Sequence, residues 1–163
     1  MSLQRIGGNT GGVDDARAAS LSTPLIAAIP LVSVSGAEEE AVTATLRYSP
    51  GAPFLVRANF RMSGGRSVDW VLSRELLREG LVMAAGFGDI RFFPGDDGLL
   101  LELRSHQGRA FLFGEIQPLM EFVRQVFALV PDGAEDDFYS IDDELELLMD
   151  LLADPDRYRT DSA

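Results

Sequence analysis

The side chains that most often carry out catalysis are scarce in this sequence. One histidine, His106, and no cysteine occur among the 163 residues. His106 lies within the segment SHQG, a composition typical of turns, so we interpret it as a polar turn residue rather than as a general base. No Gly-x-Ser-x-Gly segment indicates a nucleophile elbow. The sequence predicts a protein that is not an enzyme. An enzyme that uses only carboxylates and arginine remains an alternative, ranked below the two binding functions described at the end of this section.

Two other patterns have the spacing of ligand-binding sites. The segment GFGDIR (86–91) begins like the glycine-rich loop that binds dinucleotides, but Arg91 stands in place of the third glycine and the segment runs into a strand. Asp142, Glu146 and Asp150 recur every four residues, as ligands of a hard cation on one helix face could. A solvated, charged helix face accounts for this spacing better. We therefore predict no cofactor and no metal site.

The charge of the chain is unevenly distributed. The net charge is −12, and the segment from Pro131 onward contains twelve acidic residues and two arginines. Such an acidic segment repels phosphate backbones and argues against general binding of nucleic acids. The longest apolar run, PLIAAIPLV (24–32), is much shorter than the roughly 20 residues that a membrane-spanning helix needs. Together with the lack of an apolar signal segment, this predicts a cytoplasmic protein.

The clearest structural pattern is an antiparallel meander in the first half of the chain. In residues 42–49 and 54–62, apolar and polar side chains alternate, which is typical of strands with one buried face. The turn sequence SPGAP between them predicts a hairpin. The segment SVDWVLS (67–73) predicts a third strand of the same meander.

Further elements flank this meander. We predict strands at 25–34, 88–94, 99–105 and 109–115, and helices at 75–80, at 117–130 and from Ser140. Pro30 predicts that the first strand lies at a sheet edge, and Gly80 ends the short helix. Apolar residues at most positions of 117–130 predict a mostly buried helix. The order indicates an α+β fold of antiparallel β-sheets with packed helices, built as two halves of β-strands followed by a helix.

These patterns are confined to the middle of the chain. Residues 1–22 are rich in glycine, serine and other small residues, a composition typical of a disordered arm. Residues 154–163 follow the last helix, and we interpret them as a flexible acidic tail. One domain over residues 23–153 remains, and its size is typical of a single domain.

Two sets of residues are candidates for contacts with partners. Arg47, Arg57 and Arg61 share the polar face of the predicted hairpin and could contact phosphates, but the stacking aromatic residues that such a site needs belong to the other face. We therefore favour a solvent face or a surface for self-association. The last helix has an apolar stripe that either the protein's own sheet or another subunit must cover. Its members are Ile141, Leu145, Leu148, Met149 and Leu152.

Several segments in a fixed order resemble one protein family. They are LRYSPGAPFLVRANF (46–60), VDWVLSRELLREGL (68–81), GFGDIRFFP (86–94), IQPLMEFVRQVFALVP (116–131) and DDFYSIDDELELLMDLL (136–152). Together they resemble the SsgA-like sporulation and cell division proteins of actinomycetes. Phe92 and Phe93 stand where that family has Val-Trp, and the acidic C-terminal segment also departs from its pattern.

The resemblance implies a non-enzymatic regulator that works through protein–protein binding. Members of the family act at developmental septa, and one of them recruits the tubulin-like division protein FtsZ and promotes its assembly. The resemblance also implies a Whirly-like, bell-shaped fold, a homotrimer, and FtsZ or other SsgA-like proteins as partners. Whirly proteins bind single-stranded nucleic acids, so a module of that type is the alternative function, although a fold does not fix a function.

Overall fold

The computed structural model describes residues 23–106, 108–153 and 158–160. Within these ranges the chain forms eight strands and four helices. In chain order they are β1 (Leu25–Ser33), β2 (Glu40–Tyr48), β3 (Leu55–Met62), β4 (Ser67–Ser73), α1 (Arg74–Gly80), β5 (Ile90–Gly95), β6 (Gly98–Ser105), β7 (Gly108–Gly114), α2 (Ile116–Leu129), α3 (Glu135–Phe138), α4 (Ile141–Ala153) and β8 (Tyr158–Thr160). The predicted strands and helices are confirmed in type and order. The predicted arm 1–22 lies outside the described residues.

All described strands belong to one sheet in the order β5-β6-β7-β1-β2-β3-β4-β8. Neighbouring strands are antiparallel, except that β8 runs parallel to β4. The mostly antiparallel α+β architecture is therefore confirmed. The two predicted halves are continuous, because β1 and β7 pair through Val32–Phe113 and Ser33–Leu112.

The prediction that β1 lies at a sheet edge is wrong. β1 pairs with β2 over its whole length, from Leu25–Tyr48 to Ser33–Glu40, and with β7 on its other side. The pairing with β7 begins only after Pro30, at Val32. A proline lacks the N–H that a ladder needs, so it is tolerated in mid-sheet where one neighbouring strand is not yet paired.

The described strand β8 was not predicted from the sequence. Tyr158–Thr160 pairs with Asp69, Trp70 and Val71 of β4 and extends the sheet by one strand. Three residues are too few to show alternation, so no local pattern indicates this strand. It lies within the segment interpreted as an acidic tail, of which residues 154–157 and 161–163 are outside the described part.

The hydrophobic core lies between one face of the sheet and the helices α1 and α2. The alternation predicted for β2 and β3 is confirmed, since Val42, Leu46, Val56 and Phe60 are buried. The prediction that α2 is mostly buried is wrong, because less of the helix is buried than predicted. One side of α2 packs on the sheet, while Met120 on its other side is 43% exposed. A helix on the surface of a sheet needs only one apolar face for that packing.

A buried arginine joins the elements around this core. Arg74, the first residue of α1, is 1% exposed. Its Nη1 donates to the carbonyl oxygen of Val130 at 2.7 Å, just beyond α2, and its Nη2 donates to Glu135 at the start of α3. Its guanidinium also lies 4.5 Å from the centre of the Phe127 ring. A buried guanidinium requires such partners, because an unpaired charge in the interior is very unfavourable.

Tyr48 extends this network to the sheet. Its hydroxyl lies 3.5 Å from Arg74 Nη1 and donates to the carbonyl oxygen of Pro53 at 3.0 Å. Burial raises the pKa of the phenol, and the neighbouring Arg74 guanidinium partly opposes that rise. The neutral phenol therefore acts as a hydrogen-bond donor that holds the β2–β3 turn against the helices.

A second close contact fixes α1 against β5. A Cβ atom added at Gly80 would lie 2.5 Å from Cγ of Phe92. The helix ends at Gly80, as predicted, but the reason differs from the prediction. The glycine is required because the buried Phe92 ring occupies the space of a side chain, and its backbone φ is not positive.

We predict that Arg74→Met lowers the free energy of unfolding by about 3 kcal/mol, because it leaves Glu135 and the Val130 carbonyl without their partner. Urea denaturation monitored by the fluorescence of the buried Trp70 measures this change. Arg124→Met is the matched control, since Arg124 pairs with Glu121 on the exposed side of α2 and its loss should leave the midpoint almost unchanged. Equal midpoints for the two variants would contradict the role of Arg74.

Candidate protein-binding surface

The two most exposed of the large apolar side chains in the described structure, Phe87 and Val82, lie in one loop between α1 and β5. We call residues 82–89 the exposed loop. Val82 is 75% exposed, Met83 62% and Phe87 95%. A scattered exposed apolar residue needs no explanation, but a local cluster of large ones is typical of a surface that binds another molecule. The exposed loop is therefore the strongest candidate contact site in the described structure.

Backbone hydrogen bonds fix both ends of the exposed loop. The N–H groups of Val82 and Met83 donate to the carbonyl oxygen of Glu79, at 2.9 and 3.0 Å. Ala85 and Phe92 exchange two backbone hydrogen bonds, at 3.1 and 2.9 Å. The second pair ties the loop to the outer edge of β5, where it closes part of an open sheet edge. The loop is thus anchored at Val82, Met83 and Ala85 before any partner binds.

Gly86 allows the tight return of the loop. Its φ is +98°, and a Cβ atom there would lie 2.3 Å from the carbonyl oxygen of Ile90. The segment GFGDIR then enters β5, as predicted, and presents no helix N-terminus to a phosphate. The glycine that looked like part of a nucleotide loop instead shapes the turn that displays Phe87.

Sequence reasoning did not select Phe87. Apolar residues were assigned to the core by their periodicity, and an isolated Phe has no periodicity. The usable signal is its position between Gly86 and Gly88, because a large apolar residue inside a turn has no strand or helix face on which to be buried.

The structure brings the three candidate arginines to one sheet face. Arg47 of β2 is paired directly with Arg57 of β3, and Arg61 is paired with Thr43. Like charges directly opposite each other destabilise a strand pair. Asp150 of α4 relieves this repulsion, since its Oδ2 lies 3.3 Å from Nη1 of Arg57. The acidic helix therefore lies against the arginine face.

The described part of the predicted α4 stripe is exposed. Ile141 is 65% exposed, Leu145 49% and Met149 68%. The side chains of Leu148 and Leu152 lie outside the described residues. The protein's own sheet does not cover these three side chains. We therefore expect a partner or a second subunit to cover them.

The described interior offers little room for a substrate. A cavity of about 20 Å³ lies among core side chains such as Leu31, Phe60 and Phe92, which is about the space of one water molecule. His106 is exposed in the turn between β6 and β7. Among the residues with described positions, no three acidic or histidine side chains are grouped as metal ligands would be. No helix in the described ranges is long and apolar enough to cross a membrane.

Comparison with known proteins decides the family. The family model described as Streptomyces sporulation and cell division protein, SsgA, matches residues 42–135. The chain belongs to the SsgA family. The matched segment contains the Arg74 network and the exposed loop, whereas α4 lies beyond it.

Relatives in this family are named as sporulation-specific cell division proteins. The SsgB protein of Thermobifida fusca is 36% identical over 108 residues, which cover 64% of this chain and 78% of that protein. SsgB of Streptomyces coelicolor is 34% identical over 120 residues, which cover 71% of this chain and 88% of the relative. These names describe cell division proteins rather than enzymes.

A solved structure agrees with the fold. The crystal structure of an SsgA-like sporulation-specific cell division protein from Thermobifida fusca superposes with a TM-score of 0.67 at 31% sequence identity. The superposition covers 80% of this chain and 98% of the other. The mostly antiparallel sheet with a few helices is therefore the architecture of this SsgA family member as well.

We predict that Gly86→Ala lowers the free energy of unfolding by about 2–3 kcal/mol, because it adds a steric clash to the cost of a positive φ. The control is Gly65→Ala, where φ is +82° but no atom lies within 4 Å of the added Cβ. That variant should lose only about 1 kcal/mol, the cost of the backbone conformation alone. Urea denaturation of the two proteins measures the difference, and equal losses would show that the loop does not hold Gly86 tightly.

Proposed function

We propose that this protein is a non-enzymatic regulator of sporulation-specific cell division that binds proteins of the septum machinery. Its direct partner is the tubulin-like division protein FtsZ, which it recruits or whose assembly it promotes. The observation that carries the proposal is the exposed loop, where Val82, Met83 and Phe87 are exposed in a segment that backbone hydrogen bonds anchor. Membership of the SsgA family supports the division role.

The exposed loop has the physical properties of a protein-binding anchor. Aromatic side chains that become buried at the centre of an interface contribute much of the binding free energy. A loop whose backbone is already fixed loses little conformational entropy on binding. Phe87 is an exposed aromatic side chain of this type, and the Gly86 turn and the Ala85–Phe92 pairing limit the conformations of the backbone beside it.

We also propose where the protein acts and how it assembles. The protein is cytoplasmic and is recruited to division septa, where FtsZ and other SsgA-like proteins are its partners. The homotrimer and the Whirly-like, bell-shaped fold implied by the family belong to the same proposal. A homo-oligomer would present several copies of the exposed loop to one FtsZ polymer, which strengthens binding without any new contact.

We predict that the wild-type protein pellets with FtsZ polymers or increases their mass, and that Phe87→Ser reduces this effect at least about tenfold because the anchor side chain is lost. High-speed sedimentation of purified FtsZ with GTP measures the pelleted fraction of both proteins. Phe54→Ser is the matched control, because Phe54 is also exposed, at 44%, and lies outside the loop.

Two results would contradict the proposal in different ways. Wild-type protein that neither pellets nor changes the polymer mass would exclude direct action on FtsZ. Equal pelleting of wild type and Phe87→Ser, with circular dichroism showing that both proteins are folded, would exclude the exposed loop as the contact. FtsZ would then still be the partner.

A further inference from the structure

The sheet face that points away from the core carries a continuous apolar row. Phe93 of β5 is paired with Leu100 of β6, Leu100 with Phe113 of β7, and Phe113 with Val32 of β1. Phe93 and Phe113 are each 38% exposed. A row across four neighbouring strands spans about 14 Å.

The ring of Phe113 has a fixed position in this row. A Cβ atom added at Gly98 would lie 2.9 Å from Cζ of Phe113, so the ring lies over the backbone of β6. The ring of Phe113 therefore packs on the sheet beside Leu100 and contributes to a continuous apolar surface.

Arginines flank the apolar row on the same face. Glu102 of β6 is 3% exposed, and its Oε1 lies 2.9 Å from Nε of Arg104 and 3.1 Å from Nε of Arg109. Arg91 is the strand partner of Glu102. The hydrogen bond from Arg104 lowers the pKa of Glu102, which therefore stays ionised at neutral pH. Three arginines surround one glutamate, so this cluster is positive. We call the apolar row and this cluster the Phe–Arg surface.

The helix α4 is complementary to the Phe–Arg surface. Ile141, Leu145 and Met149 form an exposed apolar row along α4. The row extends over about 12 Å, close to the length of the row on the sheet. The helix contains five acidic residues and no basic one. The described acidic residues of α4, Asp142, Glu146 and Asp150, lie on one side of its apolar row, as the arginines lie beside the row on the sheet.

Within its own chain, α4 is held away from the Phe–Arg surface. The N–H of Ser140 donates to the carbonyl oxygen of Gly51 in the β2–β3 turn, at 3.0 Å, and Asp150 contacts Arg57 of β3. Strand β3 is three positions from β7 in the sheet, a distance of about 14 Å. A second copy of the chain is therefore the better match for this face.

We propose that α4 of one copy docks on the Phe–Arg surface of a second copy, with its apolar row on Phe93 and Phe113 and its acidic side chains on the arginines. The contact joins two different surfaces, so it is heterologous and can close into a ring. The inference rests on the proposed self-association and is independent of FtsZ binding.

Complementation of two variants tests the contact. Phe93→Glu places a negative charge in the docking face, and Leu145→Glu places one in the apolar row of α4. We expect wild type to sediment as an oligomer in analytical ultracentrifugation and each variant as a 17.7 kDa monomer. An equimolar mixture should form a dimer, because one variant retains the helix and the other the face. Phe54→Glu, the control on another exposed Phe, should keep the wild-type mass.

The possible outcomes separate the claims. A monomeric wild type would overturn both self-association and this contact. An oligomeric wild type whose mass neither variant changes would overturn the contact alone, and so would monomeric variants that form no dimer when mixed. If either glutamate variant fails to fold, Phe113→Ser and Met149→Ser replace the pair.

The same surface must also be tested for nucleic acid. Micromolar binding of single-stranded DNA by wild type at low salt, lost in Phe93→Glu while the oligomeric mass stays unchanged, would assign the Phe–Arg surface to nucleic acid and overturn the proposal.

Discussion

The guanidinium of Arg74 is almost completely buried, and its need for partners fixes the relative positions of several elements. It begins α1, donates to the carbonyl of Val130 after α2, pairs with Glu135 of α3, and contacts the hydroxyl of Tyr48 at the end of β2. The Val130 carbonyl and the Glu135 carboxylate would lose this partner if their elements moved. Three of the segments by which the chain resembles its family contribute to this network, namely 46–60 through Tyr48, 68–81 through Arg74 and 116–131 through Val130.

This network has a consequence for the surface. Because Arg74 fixes α1 at its first residue and Gly80 packs on Phe92 at its last, the chain leaves α1 and enters β5 at set positions. The exposed loop connects these two points and is further held by the Ala85–Phe92 pairing. A stable interior thereby displays apolar side chains at low entropic cost, which is the requirement for a protein that acts by binding.

Local patterns in the sequence predicted the strands, the helices and the buried face of the meander, because alternation and turn residues act over a few residues. Two of the errors concern long-range pairing. Pro30 lies in a central strand because its β7 neighbour pairs only later, and β8 forms through a parallel pairing with β4 that three residues cannot signal. The exposure of Phe87 and the burial of Arg74 depend on tertiary packing, and both are the reverse of what the residue type favours.

The central claim is that the exposed loop is the contact with the division machinery while the Arg74 network stays unchanged. Amide hydrogen exchange of the protein, measured by mass spectrometry with and without FtsZ polymers, tests it directly. The account predicts slower exchange in peptides that cover residues 82–89 and no change in those that cover α2 and the β2–β3 turn. Unchanged exchange over 82–89, with protection elsewhere on the protein, would contradict it.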